Sequence, residues 1–124
     1  MKKKKIWVIE DDAAILDVIK IILTAEGYEV SCFQNAEFMA QPVESFPNLI
    51  LLDHHLQRLN GDAICQMLKQ DVRTAEIPVL LLSSHNSIRE IADQCGADGF
   101  IEKPFDLNAF LSVVNFHLFK FVST

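Results

Sequence analysis

Three short apolar runs lie far apart in the sequence, at residues 6–9, 49–52 and 78–82, and each is followed at once by an acidic or hydroxyl side chain. Four or five residues are too few for a helix, and the runs show no alternation of apolar and polar positions. Strands with this pattern are buried on both faces, as in parallel sheets that helices cover on both sides. The runs therefore predict an α/β domain.

Further strand-like and helix-like segments complete an alternating pattern. The predicted strands are residues 5–9, 28–33, 49–52, 78–82 and 99–101. The predicted helices are one capped by Asp12 and ended by Gly27, then residues 35–41, 63–70 and 87–95, and a last one capped by Asp106. Because crossover connections between parallel strands are right-handed, strict alternation leaves few topologies open.

Apolar residues at helical spacing predict which side of each helix faces the sheet. The predicted inward positions are Ile15, Ile19, Ile22 and Leu23 in the first helix, Ile64, Met67 and Leu68 in the third, and Leu107, Phe110, Leu111, Val114 and Leu118 in the last. On the last helix, Phe116 points nearly the opposite way and Phe119 lies to the flank, which suggests a docking or dimer surface.

Composition narrows the class of protein. The length of 124 residues suits one domain, and the net charge of −6 argues against nucleic acid as a direct partner. We interpret the basic run at residues 2–5 as a solvated flank. The sequence contains no apolar window near the ~18 residues of a membrane span. The odd number of cysteines without CxxC spacing predicts free, buried thiols in a reducing cytoplasm, at Cys32, Cys65 and Cys95.

Chemically active side chains follow four of the predicted strands. They are Glu10 and Asp11, Asp53, Ser83 and Ser84, and Lys103. Because ligands of doubly wound sheets bind beyond the carboxyl ends of the strands, these residues are expected to meet in one crevice. Three crowded carboxylates need protons or a cation, and an oxygen-only ligand set suits Mg²⁺. A hydroxyl and an ammonium suit phosphoryl oxygens, and a carboxylate can be the nucleophile that forms an acyl phosphate on Asp53.

The motifs "VIEDD", "LILLDHHLQRLNG", "PVLLLSS" and "GADGFIEKPF", in this order and spacing, resemble the receiver domain of two-component response regulators. The resemblance covers essentially the whole chain. It implies a single receiver domain over residues 1–124 with a doubly wound, flavodoxin-like fold, in which five helices surround a five-stranded parallel sheet of order 2-1-3-4-5.

The resemblance also implies a role for each site residue. Asp53 would be the phosphoacceptor, and Ser83 and Lys103 would bind the phosphoryl group. Glu10, Asp11 and Asp53 would hold Mg²⁺ together with the backbone carbonyl of His55. Phe100 would be the switch aromatic that moves when Ser83 does, and the Lys103–Pro104 peptide bond would be cis.

The sequence departs from the family pattern in the loop after Asp53. Gln57 stands where the family has proline, and Gly61, at the expected position, is predicted to need a positive φ. Three histidines are unusual. His55 and His85 fall at positions that tune hydrolysis of the acyl phosphate in this family, so we hypothesise that their imidazoles hinder or orient the attacking water; His54 receives no role.

We therefore expect a cytoplasmic phosphoacceptor that catalyses only its own phosphorylation and dephosphorylation. A histidine kinase or phosphotransfer protein would donate the phosphoryl group. The output would be a protein partner or homodimer through the face of the fourth helix, fifth strand and fifth helix, without direct nucleic acid or membrane contact. With the last helix ending near residue 119, we expect no DNA-binding output domain, and either a stand-alone receiver or a fragment. Three alternatives stay open: a receiver-like scaffold that is never phosphorylated, a small phosphohydrolase with an aspartyl nucleophile, and a flavodoxin-like cofactor binder.

Overall fold

Five strands alternate with helices in the computed structural model, which describes residues 3–35, 37–40, 43–56 and 60–119. The elements are β1 (Lys5–Ile9), α1 (Ala13–Ala25), β2 (Glu29–Phe33), a 3₁₀ helix (Glu37–Ala40), β3 (Leu49–Asp53), α2 (Gly61–Gln70), β4 (Val79–Ser83), α3 (Ile88–Cys95), β5 (Gly99–Glu102) and α4 (Leu107–Phe119). The predicted strands are thus confirmed to within a residue or two.

All five strands are parallel, in the order β2-β1-β3-β4-β5. This confirms the predicted doubly wound sheet. In the register between β3 and β4, Asp53 lies beside Leu82, and in that between β4 and β5, Ser83 lies beside Glu102. The polar residues that follow the apolar runs are therefore gathered at one edge of the sheet.

The second of the five predicted helices, at residues 35–41, is a short 3₁₀ helix and not an α-helix, so the described residues form four α-helices and one 3₁₀ helix. Within the described residues this segment has only the 3₁₀ helix Glu37–Ala40. The Asn35 side chain accepts a hydrogen bond from the Glu37 backbone N–H at 2.8 Å and so favours a tight turn. Pro42 cannot donate a backbone hydrogen bond, which leaves too short a stretch for a stable α-helix.

Two apolar layers cover the sheet, which explains why the strands are apolar throughout. Within each strand, successive side chains point to opposite faces of the sheet. One layer packs the sheet against α1 and α4, with Val8 and Leu51 facing Ile19 and Phe110 among others. The other packs it against α2 and α3, with residues such as Ile9, Leu52, Ile64 and Ala92. Each fully buried Leu, Ile or Phe stabilises the fold by about 1.5–3 kcal/mol.

Helix ends follow the predicted signals. The Asp12 side chain accepts hydrogen bonds from Ala14 and Ile15 N–H at 2.9 and 3.1 Å, and Asp106 caps α4 in the same way. Gly27, with φ 93°, and Gly96, with φ 82°, terminate α1 and α3 in the left-handed conformation.

Two predicted inward positions are wrong. Met67 is exposed because the buried stripe of α2 runs through Gly61, Ile64, Cys65 and Leu68, so Cys65 faces the sheet instead. Leu107 is exposed because it opens α4 one turn before the first buried residue, Phe110. In the first helix the buried residues include Leu16, which the prediction omitted.

All three cysteines are free thiols. Cys65 and Cys95 are buried as predicted, whereas Cys32 is only half-buried. Among the described residues, no helix combines the length and the apolar character that crossing a bilayer requires.

Candidate functional site

Three carboxylates meet at the carboxyl edge of the sheet. Glu10 and Asp11 directly follow β1, and Asp53 is the last residue of β3. One carboxylate oxygen from each lies within 4.8 Å of the others. Glu10 and Asp53 are only 1% and 4% exposed, while Asp11 lies at the rim. The predicted convergence of these residues is confirmed.

Lys103 reaches the carboxylates from the loop after β5. Its Nζ lies 3.1 Å from Glu10 Oε1 and 3.1 Å from Asp53 Oδ1. The backbone N–H of Lys103 donates to the Ser83 carbonyl at 2.9 Å, which holds the loop against β4. The Lys103–Pro104 peptide bond is cis, as the resemblance implied. The backbone hydrogen bond and the two side-chain ion pairs together hold the Lys103 ammonium beside the carboxylates of Glu10 and Asp53.

Burial and crowding change the proton affinities of the pocket. Burial, together with the hydrogen bond and charge of Asp53, raises the pKa of Glu10 to about 7. For Lys103, burial lowers the pKa, but the charges of Asp53 and Glu10 outweigh it and raise the pKa above its ordinary value. The ammonium stays charged near neutral pH, whereas Glu10 readily holds a proton. The pocket therefore carries more negative charge than the single ammonium of Lys103 neutralises.

The donor set fits a hard divalent cation. All three side chains offer oxygen ligands, and Mg²⁺ prefers one or two carboxylates with the rest of its shell left to water or phosphate. A cation here would offset both the burial and the neighbouring Asp53 charge, which together raise the pKa of Glu10. The backbone carbonyl of His55, which the resemblance adds to this set, stays a prediction.

Ser83 and Phe100 lie on neighbouring strands. Ser83 ends β4, is buried, and accepts a hydrogen bond on Oγ from the His85 N–H at 2.9 Å. Phe100 on β5 is half-buried against the layer under α2 and α3, and the Arg89 guanidinium carbon lies 5.6 Å from its ring centroid. Their roles as phosphoryl ligand and switch aromatic stay predictions.

The prediction that Gly61 needs a positive φ is wrong, since Gly27 and Gly96 alone among the described residues have one. Glycine is required for a different reason. A Cβ at this position would lie 2.3 Å from the Asp53 carbonyl oxygen and 2.8 Å from His54 Cα. The N–H of Gly61 donates to the His54 carbonyl at 2.8 Å. Helix α2 thus begins directly against the end of β3, while Gln57 falls outside the described residues.

The three histidines form a group next to Asp53. His54 is buried, with 7% of its surface exposed, and burial together with the charge of His55 lowers its pKa. The ring centroids of His55 and His85 lie 4.7 and 6.0 Å from that of His54. His55 and His85 are themselves exposed. The "HH" doublet was visible in the sequence, but no pattern there showed that the first imidazole is buried.

Two phenylalanines on α4 are exposed, as predicted. Phe116 is 64% exposed and Phe119 is 41% exposed, with Lys4 Nζ 5.8 Å from the Phe119 ring centroid. They lie on α4, which the family resemblance places in the output face together with α3 and β5. A docking role for them stays a prediction.

Comparison with known proteins points to one family. A family model of the response regulator receiver domain matches residues 6–115. Among solved structures, a CheY-like response regulator receiver domain protein from Methanospirillum hungatei superposes with a TM-score of 0.86. It is 29% identical in sequence, and the match covers 96% of each chain.

The similar curated proteins are longer. Over 113 residues the chain is 38% identical to the DNA-binding dual master transcriptional regulator RpaA of Synechocystis, covering 89% of this chain and 47% of that protein. Over 110 residues it is 34% identical to the phosphate regulon transcriptional regulatory protein PhoB of Pseudomonas aeruginosa, and the match covers 85% of this chain and 47% of that protein. The chain spans about half the length of these curated relatives.

Proposed function

This chain belongs to the response regulator receiver domain family, and from that membership we propose that it accepts a phosphoryl group on Asp53 in a two-component signalling pathway. The observation that carries the proposal is the buried Asp53 carboxylate in a pocket with two further acids and one lysine ammonium 3.1 Å away. Such a pocket suits a phosphoryl group because it offers both a nucleophile and compensating positive charge.

In the proposed reaction an Asp53 oxygen forms a bond to phosphorus as the phosphorus–nitrogen bond of a phosphohistidine donor breaks. The departing imidazole takes up a proton. Lys103 would neutralise a phosphoryl oxygen from its place beside Asp53, and the Ser83 hydroxyl would donate to another. Mg²⁺, held by Glu10, Asp11, Asp53 and the His55 carbonyl, would neutralise charge on the phosphoryl oxygens when bound.

The proposed partners follow from this chemistry. A histidine kinase or phosphotransfer protein would supply the phosphoryl group, in the cytoplasm, and the chain would act on no external metabolite. Phosphorylation would draw Ser83 inward, move Phe100, and so bias the face of α3, β5 and α4. The exposed Phe116 and Phe119 support a protein partner or second copy at that face. The net charge of −6 makes direct nucleic acid contact unfavourable.

Intact-mass measurement tests phosphorylation directly. After treatment with acetyl phosphate and Mg²⁺, the protein is expected to gain the mass of one phosphoryl group. The gain should vanish in Asp53→Asn and persist in Asp93→Asn, a matched change at an exposed aspartate on α3. No gain in the folded wild-type protein would contradict the proposal and favour an unphosphorylated scaffold. Continued turnover of acetyl phosphate that survives Asp53→Asn would favour a phosphohydrolase.

Hydrolysis of the acyl phosphate is where His55 and His85 would act. Both side chains are exposed, and the backbone N–H of His85 donates a hydrogen bond to the Ser83 hydroxyl oxygen, which keeps this loop beside the pocket. In a solution with transition metals chelated, the double variant His55→Asn, His85→Ala is expected to change the lifetime of the phosphorylated form. His117→Ala, on α4, should leave it unchanged. An equal lifetime in double variant and wild type would remove the role.

A further inference from the structure

Helix α1 has more apolar surface than its packing against the sheet uses. Its buried residues are Leu16, Ile19 and Leu23, and the half-buried Ile15 and Ile22 lie beside them. A helix that packs on one side needs an apolar arc of roughly 100°. At about 100° per residue, the apolar positions of α1 extend over roughly 220° of its circumference, about twice that arc.

The additional apolar residues form a narrow stripe on the solvent side of α1. Val18 is 53% exposed and Ile21 is 68% exposed, with the exposed Ala14 one turn before them and the exposed Ala25 one turn after. We call Ala14, Val18, Ile21 and Ala25 the α1 stripe. Single exposed apolar residues are normal at a protein surface, but a contiguous row along one helix indicates that another surface packs on it.

A groove lies next to the amino-terminal half of the α1 stripe. Its volume is about 550 Å³, and α1 forms one wall while the loop after β5 forms the other. The apolar lining includes Ala14, Ile15 and Val18 from α1, and Pro104 and Phe105 from the loop. The stripe and the groove therefore form one continuous surface that can accept a row of aliphatic side chains.

The α1 stripe is symmetrical about its own centre. Its residues are spaced four, three and four apart, which is the spacing of contact positions in a coiled coil. In either direction the order is alanine, branched aliphatic, branched aliphatic, alanine. A second copy of α1 laid antiparallel on the first would place Ile21 on Val18 around a two-fold axis. The same axis would place Ala25 on Ala14.

Charge favours a second copy of this chain over a strongly charged partner. The whole chain carries a net charge of −6, but α1 is neutral because it has one acid, Asp17, and one base, Lys20. Two copies therefore meet at α1 with little repulsion. In the antiparallel arrangement Asp17 lies opposite Thr24 of the second copy, so no like charges oppose each other.

We propose that two copies of this chain associate through the α1 stripe in an antiparallel, two-fold symmetric contact. Ile22 of the second copy would lie opposite Ile15 at the groove. Because α1 has 13 residues and is about 20 Å long, the contact is smaller than a standard interface, and a dissociation constant on the order of 100 µM is expected. The face differs from that of α3, β5 and α4, and the inference does not depend on phosphorylation.

Sedimentation equilibrium of the untagged protein, from about 10 µM to about 1 mM, tests the association. The average mass is expected to rise from 14.0 kDa toward twice that value. Ile21→Lys changes an exposed residue and so retains the fold, and it is expected to weaken association about tenfold or more. Val72→Lys, at an 89% exposed valine outside α1, is the matched control and should associate like the wild type. Phe116→Lys, on α4, should do the same.

Charge pairing tests the antiparallel arrangement. Val18→Glu alone is expected to be monomeric, but mixing it with Ile21→Lys should restore association, because the introduced glutamate and lysine would face each other. Ile21→Glu mixed with Ile21→Lys is the control and should stay monomeric, since position 21 faces position 18 and not itself.

Four results would each overturn the proposal. They are a wild type that stays monomeric at the highest concentration, association of Ile21→Lys equal to that of the wild type, failure of Val18→Glu to restore association with Ile21→Lys, and restoration by Ile21→Glu instead. Loss of association in Phe116→Lys but not in Ile21→Lys would assign the contact to α4 and would overturn it as well.

Discussion

We expect the Glu10 carboxylate to destabilise the metal-free protein at neutral pH, and replacing Glu10 with glutamine measures by how much. Burial and the neighbouring Asp53 raise the pKa of Glu10 from about 4.5 to about 7. Glutamine has nearly the same shape, and its side-chain oxygen can still accept a hydrogen bond from Lys103, but it carries no charge to desolvate. The variant Glu10→Gln is therefore expected to be more stable than the wild type.

The magnitude follows from the shift in proton affinity. A tenfold change in affinity is worth about 1.4 kcal/mol, so the shift from 4.5 to 7 corresponds to about 3 kcal/mol. Between pH 4.5 and 7 the folded wild type binds more protons than the unfolded chain, so its free energy of unfolding falls as pH rises relative to that of Glu10→Gln. We expect the two proteins to be equally stable below pH 4.5 and to differ by about 3 kcal/mol at pH 8.

Urea unfolding with a metal chelator, repeated across this pH range, measures the difference. Glu76→Gln, an exposed glutamate in the connection between α2 and β4, is the matched control and should follow the wild type at every pH. Added Mg²⁺ should narrow the gap by binding only the wild type tightly. A gap that does not change between pH 4.5 and 8, or one that favours the wild type as pH rises, would refute the reasoning.

Three other changes have defined outcomes. Gly61→Ala should lower the free energy of unfolding by about 2–3 kcal/mol in urea, because the new Cβ would lie 2.3 Å from the Asp53 carbonyl oxygen; an unchanged midpoint would contradict this. Lys103→Met should lower the free energy of unfolding by about 3 kcal/mol at pH 8 and by less at pH 5, where Glu10 is protonated. Thermal unfolding at the two pH values measures this difference. Lys69→Met should lower the free energy of unfolding by about 2 kcal/mol, because the Lys69 ammonium lies 2.7 Å from the half-buried carboxylate of Asp98. Amide hydrogen exchange at the start of β4 that is no faster than in the wild type would contradict this.

The sheet and the acidic pocket could be predicted because local patterns determine them. An apolar run with no alternation indicates a strand covered on both sides, and the first polar residue after it marks the strand end. Once the strands are parallel, Glu10, Asp53 and Lys103 must approach the same edge. The predicted convergence therefore needed no knowledge of distant contacts.

The predictions that were wrong depend on contacts that sequence patterns do not record. The side chain of Asn35 competes for the backbone and replaces the second helix with a 3₁₀ turn. Gly61 is required by the approach of α2 to the Asp53 carbonyl, which only the packed structure reveals. The burial of His54 likewise follows from how two loops and α2 meet.

Magnesium binding tests the central claim most directly, namely that acidic side chains from separate strands form one cation pocket beside the phosphoacceptor. In a calorimetric titration of the wild-type protein at pH 8, we expect uptake of one Mg²⁺. Binding should be weakened about tenfold or more in Asp11→Asn and unchanged in Asp17→Asn, a control at an exposed aspartate of α1. Absence of Mg²⁺ uptake by the folded wild type, or equal binding by Asp11→Asn, would contradict the account.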